Sequence, residues 1–370
     1  MTLATDTRRL SHGWNTDETR METNFRMMWA ARKSLLRTNV TEPGEPRLVA
    51  LLLVRVLSMF HPWLMNRSCL FALVLLWIAT AVCDAAPVIP PVMTPRSIAP
   101  GKSAPPGTSV VLSDRGTNFT LFLPVGWTNT LSSTGLVVVH FHTAPWFAIQ
   151  EHLRRAAREP LLVFALGEGS TTYRLPFEDT NRFTRVLELV TKELRVRGQR
   201  PDAGIVAVDV SSFSAGYGAV RELVKVPVHF QRLRRIVLLD SFYGGLEPAV
   251  AGNTNRVPLA EHIDAWVPFA GAAMRGEKVF VLTHTQIATR SYASTFECAA
   301  ALLGRLGVEA SVAKRDEFPA ARELRYPLLT HADREGLHVW SYSGDDAESH
   351  MTHARRLAEV WMALDAAGVR

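Results

Sequence analysis

Cysteine is scarce in this chain. Only Cys69, Cys83 and Cys298 occur, and the first two fall in or beside one apolar stretch. The globular part then keeps a single thiol, which excludes an internal disulfide, and no C-x-x-C pair or Cys/His cluster offers a zinc site. Cys298 lies in an apolar helical pattern with Phe296, Ala299, Leu302 and Leu303, the setting of a buried small hydrophobe. A basic stripe with interleaved aromatics is also missing. The net charge is only +6, about half of it lies before residue 87, and nucleic acid is not expected as a partner. No G-x-G-x-x-G follows the first predicted strand, and no lysine completes a phosphate-cradling loop after Glu168–Tyr173. No internal repeat is evident.

What the chain does carry begins with an address. Residues 65–86 read MNRSCLFALVLLWIATAVCDAA: Arg67, then an apolar run from Cys69 to Cys83, then small residues. That is the layout of a secretory signal peptide, with cleavage after Cys83, Ala85 or Ala86. Thr80-Ala81-Val82-Cys83 has the outline of a lipoprotein box, although Val82 is large for its place. The expected location is secreted or periplasmic, membrane-tethered if 65–86 stays uncleaved or Cys83 is lipidated. Membrane contact is expected only through this segment. Residues 1–64 are polar, rich in Arg, Thr and Asn, and their one apolar run, Leu48–Leu57, is interrupted by Arg55. They are read as a disordered or misassigned upstream extension, with Met65 as the true start. The proline density of residues 87–108 prevents helix and predicts an extended linker.

Residues 109–370 alternate β-rich runs with amphipathic stretches. This predicts an α/β domain with a mostly parallel central sheet and helices on both faces. Predicted strands are Ser109–Leu112, Phe119–Leu123, Leu136–His142, Leu161–Leu166, Ile205–Val210, Ile236–Asp240, Lys278–His284 and Leu337–Tyr342. The central ones are continuously apolar, as strands covered on both faces must be. Predicted helices are Phe147–Arg158, Arg182–Arg195, Ala215–Leu223, Tyr292–Leu306 and Met351–Leu364. The first two strands form an antiparallel opening pair, joined through Ser113–Asn118.

The sharpest motif is Ser212-Phe213-Ser214-Ala215-Gly216, where a buried strand runs straight into a helix. A serine on such a turn takes a strained backbone, so its neighbours two before and two after must be small. The turn lifts the Ser214 hydroxyl above the sheet at a helix N-terminus, where the Ala215 N–H is placed to hold a developing oxyanion. This stretch resembles the G-x-S-x-G elbow of the α/β-hydrolase superfamily, with Ser212 in place of the first glycine.

The resemblance, which spans residues 109–370, implies more. It places the general-base histidine in the loop after the last strand, which matches His350, with His353 as a competitor. The family's usual position for the acid, around Thr285-Gln286-Ile287-Ala288, carries no carboxylate. Asp240, ending the preceding strand, is a location some members use, and it is taken as the acid, with Asp316 and Asp345 in reserve. Beyond the third strand the family commonly has His-Gly; here His142-Thr143 stands, and Thr143 or Ala144 is expected to supply the second oxyanion donor, since Pro145 cannot. His140 and His142, read on one strand face with His284 as a third candidate, invite a metal reading. No metal and no cofactor are expected, because the acids do not fit a metal hydrolase. The loops Gly167–Tyr173 and Ser241–Gly245 are expected to rim a pocket.

The implied activity is a secreted serine hydrolase acting on an ester, thioester or amide, small or polymeric, through Ser214, His350 and Asp240. The alternatives are an acyltransferase or peptidase on the same triad, and a non-catalytic cell-envelope binding protein on the same fold.

Overall fold

Six apolar runs form the parallel centre of one sheet. They are β3 (Leu136–Phe141), β4 (Leu161–Phe164), β5 (Ala207–Phe213), β6 (Leu233–Leu239), β7 (Val279–His284) and β10 (Leu337–Tyr342). The antiparallel pair β1 (Gly107–Asp114) and β2 (Thr117–Pro124) extends one side, and β9 (Leu328–Arg334) and β8 (Ser311–Val312) the other. The ten strands stand in the order β1-β2-β4-β3-β5-β6-β7-β10-β9-β8. The structure, a computed structural model, describes residues 87–101, 103–199, 202–248, 256–314, 317–318 and 325–368. All lie within one compact unit spanning residues 84–370. The extension 1–64, the signal-peptide reading of 65–86, Cys69, Cys83 and Asp316 lie outside the described residues.

Eleven helices flank the sheet among the described residues: α1 (Trp127–Thr134), α2 (Pro145–Arg154), α3 (Ser170–Phe177), α4 (Arg182–Gly198), α5 (Tyr217–Lys225), α6 (Pro227–Arg232), α7 (Ala260–Asp264), α8 (Val267–Ala273), α9 (Thr295–Leu306), α10 (Ala347–Ala354) and α11 (Leu357–Ala366). Alternate strand residues point to opposite faces, and the core divides accordingly. Val137 and Val139 of β3 join α4, α8 and α9 in one cluster. Val138 meets Ala148 and Ile149 of α2 on the other face, where α11 packs beside Val237, Val281 and Trp340. Each such Val or Leu, fully buried, contributes about 1.5–3 kcal/mol, which favours apolar residues along these strands; the buried Asp209 of β5 is instead paired with Arg234 and Arg235. Helix α4 shows the complementary rule: Phe183, Val186, Leu187, Val190 and Leu194 are buried at helical spacing.

Several boundaries differ from the sequence reading. β9 carries no continuous apolar run, because one of its faces is exposed, and β8 is only two residues long. The predicted helix Met351–Leu364 is two helices, separated at Arg355 and Arg356. The predicted loop Gly167–Tyr173 is mostly the start of α3. Asp240 stands one residue beyond β6, and His142 one beyond β3.

The proline-rich segment has neither helix nor strand before β1, and its first part is fastened to the domain. Met93 is buried, the Tyr342 hydroxyl donates to the Pro91 carbonyl at 2.7 Å, and the Arg356 Nε donates to the Thr94 carbonyl at 3.0 Å. Arg96 pairs with the buried Glu151 at 2.5 Å. Among the described residues no helix is long and apolar enough to cross a membrane.

Candidate active site

β5 ends in Phe213, and the chain turns through a short 3₁₀ segment, Ser214–Gly216, into α5. Ser214 is held at φ 47°, a left-handed conformation that costs a non-glycine residue about 1–3 kcal/mol and persists only where its surroundings impose it. Those surroundings are visible. Ser212, standing where a glycine is usual, is fully buried, and its hydroxyl meets the Ser241 hydroxyl at 2.8 Å. Ser241 Oγ donates onward to the Ser214 carbonyl at 2.7 Å, so Ser212 is the donor of the first bond. The serine substitution in the motif is therefore a strut under the turn. Gly216 has no such latitude, because a Cβ there would stand 2.6 Å from the Phe141 carbonyl oxygen. Gly216→Ala is expected to push β3 from the elbow, cost about 1–3 kcal/mol and lower Tm by roughly 3–10 °C, as read by calorimetry.

Asp240 follows β6 with φ 41° and is completely buried. It accepts four hydrogen bonds: from the Thr285 N–H at 3.1 Å, the Thr285 hydroxyl at 2.9 Å, the Thr295 hydroxyl at 2.6 Å and His350 Nδ1 at 2.6 Å. Burial alone would raise its pKa. The hydrogen bond from His350, the charges of His353 and His350 and the Thr295 hydrogen bond outweigh that and hold the carboxyl well below the usual carboxylate range. The position where the resemblance expected the acid, just beyond β7, carries Thr285, which donates to Asp240 just beyond β6.

His350 lies in the first turn of α10, one turn further into a helix than the sequence reading placed it. The turn is fixed by a capping box in which Asp346 accepts from the Ser349 N–H at 2.7 Å. The Phe213 ring lies 4.5 Å from the His350 ring, centroid to centroid, and 5.9 Å from that of His142. Ser214, His350 and His142 line one cavity of about 1280 Å³. Ser214 Oγ makes no hydrogen bond among the described residues.

His142 adopts φ 66°, the left-handed region that a glycine would fill without strain and that histidine tolerates better than most residues. Its N–H is committed to the Phe164 carbonyl at 3.0 Å and its Nδ1 to the Tyr173 hydroxyl at 3.0 Å. Burial lowers its pKa, and the neighbouring charge of His350 adds to the lowering. Thr143, the expected oxyanion donor, is half-buried and does not line this cavity, and its buried hydroxyl has no hydrogen-bond partner among the described residues. Ala144 caps α2, and Ala215 occupies the first turn after β5, where its N–H has no intrahelical partner.

The shared strand face of His140 and His142 is not found. β3 ends at Phe141, His142 turns into the cavity wall, and His140 stays buried with Nδ1 against the Ser211 hydroxyl at 2.8 Å. His284 bonds to the Thr285 carbonyl, and among the described residues no group of three His, Cys, Asp or Glu is arranged to hold a metal. His353 is buried, with Nδ1 against the Thr283 hydroxyl at 2.7 Å, so it stands beneath the site and does not line the cavity. Asp345 is an exposed residue of the cavity wall. Sequence reasoning missed Phe213, Ser241, Thr285, Thr295 and Tyr173 as site residues. Only Ser241 and Tyr173 carried a signal, through the loops expected to rim the pocket.

The strand order, the strained serine after the middle parallel strand and the chain order Ser214, Asp240, His350 define an α/β-hydrolase-type fold. No protein-family model matches the sequence, and no curated protein does. Among solved structures, the chain is similar to the poly(3-hydroxybutyrate) depolymerase LpqC from Bordetella parapertussis at 14% identity, over 71% of this chain and 94% of that one, with a TM-score of 0.39. It is similar to an S-formylglutathione hydrolase from Agrobacterium tumefaciens at 12% identity, over 71% and 96%, with a TM-score of 0.36. A ferulic acid esterase matches at 10% identity, over 69% and 96%, with a TM-score of 0.42.

Proposed function

We propose that this protein is a serine hydrolase that cleaves an ester, thioester or amide through Ser214, His350 and Asp240. The observation that carries the reading is the 2.6 Å hydrogen bond between His350 Nδ1 and the buried Asp240 carboxylate, beside the cavity that Ser214 also lines. With Nδ1–H held by Asp240, His350 Nε2 is the nitrogen left to accept the Ser214 proton.

In this mechanism Ser214 Oγ attacks the substrate carbonyl as His350 takes its proton. The oxyanion forms against the Ala215 N–H and a second amide at Thr143 or Ala144. Collapse breaks the bond to the alcohol, thiol or amine, which leaves with the proton from His350. Water, deprotonated by the same imidazole, then attacks the acyl-serine and frees the acid. Asp240 stays ionised throughout and stabilises the imidazolium. The cavity exceeds the usual range for small-ligand pockets, which suits a substrate with substantial groups on one or both sides of the scissile bond. The apolar run Cys69–Cys83 supports export to a secreted or periplasmic site of action.

The test is a fluorophosphonate probe applied to the full chain and to Ser214→Ala. Labelling of the wild type that is lost in the variant is the expected result. A wild type that stays unlabelled would overturn the reading and leave a binding protein on a hydrolase fold.

A further inference from the structure

Among the described residues, one cation in the cavity wall makes no hydrogen bond. Arg221, on the second turn of α5, lines the same cavity as Ser214, yet the residue is only 5% exposed. Its Nε and Nη1 are both buried without a hydrogen-bond partner. The nearest carboxylate, Glu222, lies 3.7 Å from Nε, beyond hydrogen-bonding reach, and is itself engaged by Lys225 at 2.8 Å and 2.9 Å. The guanidinium lies over the Tyr217 ring, 5.7 Å from its centroid. A buried guanidinium with two idle donors is costly, since each unpaired group forfeits its hydration without replacement. Such an arrangement persists where a ligand supplies the missing acceptors.

Helical geometry relates the group to the nucleophile. Arg221 is seven residues beyond Ser214, about 10 Å along the chain axis at helical rise, and helix side chains lean toward the N-terminus. The head group therefore comes back over Tyr217 toward the elbow. Tyr217, Tyr243 and Tyr292, in edge and tilted contacts at 5.7 Å and 5.6 Å, give the same wall an aromatic surface. His262, also lining the cavity, has its pKa lowered by burial and then by the Arg221 charge, which reaches across this side of the cavity.

We infer that Arg221 binds a carboxylate carried by the substrate, so that the preferred ester bears a negative charge within reach of the elbow on its acyl or its alcohol part. A planar carboxylate is the acceptor that a guanidinium edge, Nη2 with either Nε or Nη1, fits in two parallel hydrogen bonds. The other two arginine and lysine side chains of the cavity wall are engaged, Arg174 by Glu178 and Lys225 by Glu222, which leaves Arg221 to receive an anion. The inference rests on the hydrolase reading and adds its substrate class.

The experiment compares two matched pairs of esters. Mono-4-nitrophenyl glutarate is set against its methyl ester, and 4-acetoxybenzoate against methyl 4-acetoxybenzoate. In the wild type, kcat/KM should favour the charged member of at least one pair. In Arg221→Gln the ratio of the charged to the neutral rate should fall about 10- to 100-fold. Arg221→Lys, which keeps the charge but not the fork, should lie between. A residue that only braces α5 would slow both members alike. Benzoate should also slow fluorophosphonate labelling of wild-type Ser214, a measurement that needs no variant to fold. If Ser214 is labelled and neutral esters are cleaved but neither pair shows a preference that depends on Arg221, this assignment is overturned and the hydrolase reading stands. If Ser214 is not labelled and no ester is cleaved, both fall together.

Discussion

Asp240→Asn is expected to lower kcat for any ester this protein hydrolyses by about 10³- to 10⁴-fold, with little change in KM. The carboxylate is met only by donors: two from Thr285, one from Thr295 and one from His350. An asparagine of the same shape presents an NH₂ where one oxygen stood. Either it faces the threonines, where it meets other donors, or it faces His350 and forces Nδ1 to become an acceptor. In the second case the ring proton moves to Nε2, and the imidazole can no longer take the Ser214 proton. Because Asp240 is held below the ordinary carboxylate range, it stays charged wherever an imidazole titrates, and the wild-type rate should show no limb belonging to it. Steady-state kinetics on the variant, with a melting curve to show that it is folded, decide the matter. A folded variant hydrolysing at the wild-type rate would remove Asp240 from the mechanism.

The second large effect is on stability in acid. Four buried histidines are kept neutral by desolvation, His229 among them, lowered to about 4. His140 and His152 are lowered to about 3, and His353 to about 4, each from 6.5. Their partners suit the neutral ring: His140 faces a hydroxyl, His152 a carbonyl and His353 a hydroxyl. Between pH 6.5 and 4 the unfolded chain therefore binds protons that the folded chain refuses. Stability from these groups is fully present above pH 6.5 and is lost as pH falls, by up to about 1.4 kcal/mol per pH unit for each histidine. Asp240, with its pKa depressed, acts in the same direction, but only below the ordinary carboxylate value near pH 4. Four such histidines weigh heavily against a typical total of about 5–15 kcal/mol. The urea midpoint should be level from pH 8 to 7 and fall steeply from pH 6 to 4.5, and a His140→Gln variant should show a shallower slope over the same interval. A midpoint unchanged across this interval would mean that these rings accept protons while buried.

The parallel strands were legible because burial on both faces selects apolar runs, as in Leu136–Val139 and Val279–Leu282. The elbow was legible because its strain admits few residues. Ser214, Asp240 and His350 are separated by 26 and 110 positions, and no local pattern joins them; what named Asp240 in advance was its place at a strand end. Helix α3 was read as loop because Gly167 and Gly169 mask a helix that starts one residue later. β9 was missed because its exposed face dilutes the apolar signal. The orphaned donors of Arg221 could not be seen at all, since a lack of partners is a property of three-dimensional surroundings. The face shared by His140 and His142 failed for a simpler reason: one residue with a left-handed backbone reverses the alternation on which the expectation rested.

The fastened segment before β1 bears on how the domain carries mechanical load. Tension applied to the chain from its N-terminal side meets the contacts at Pro91, Thr94 and Arg96 before it meets β1. Those contacts anchor on β10, α2 and the start of α11, so the pull is delivered to the middle of the fold. The edge hairpin β1–β2, which would otherwise peel one hydrogen bond at a time, is shielded from it.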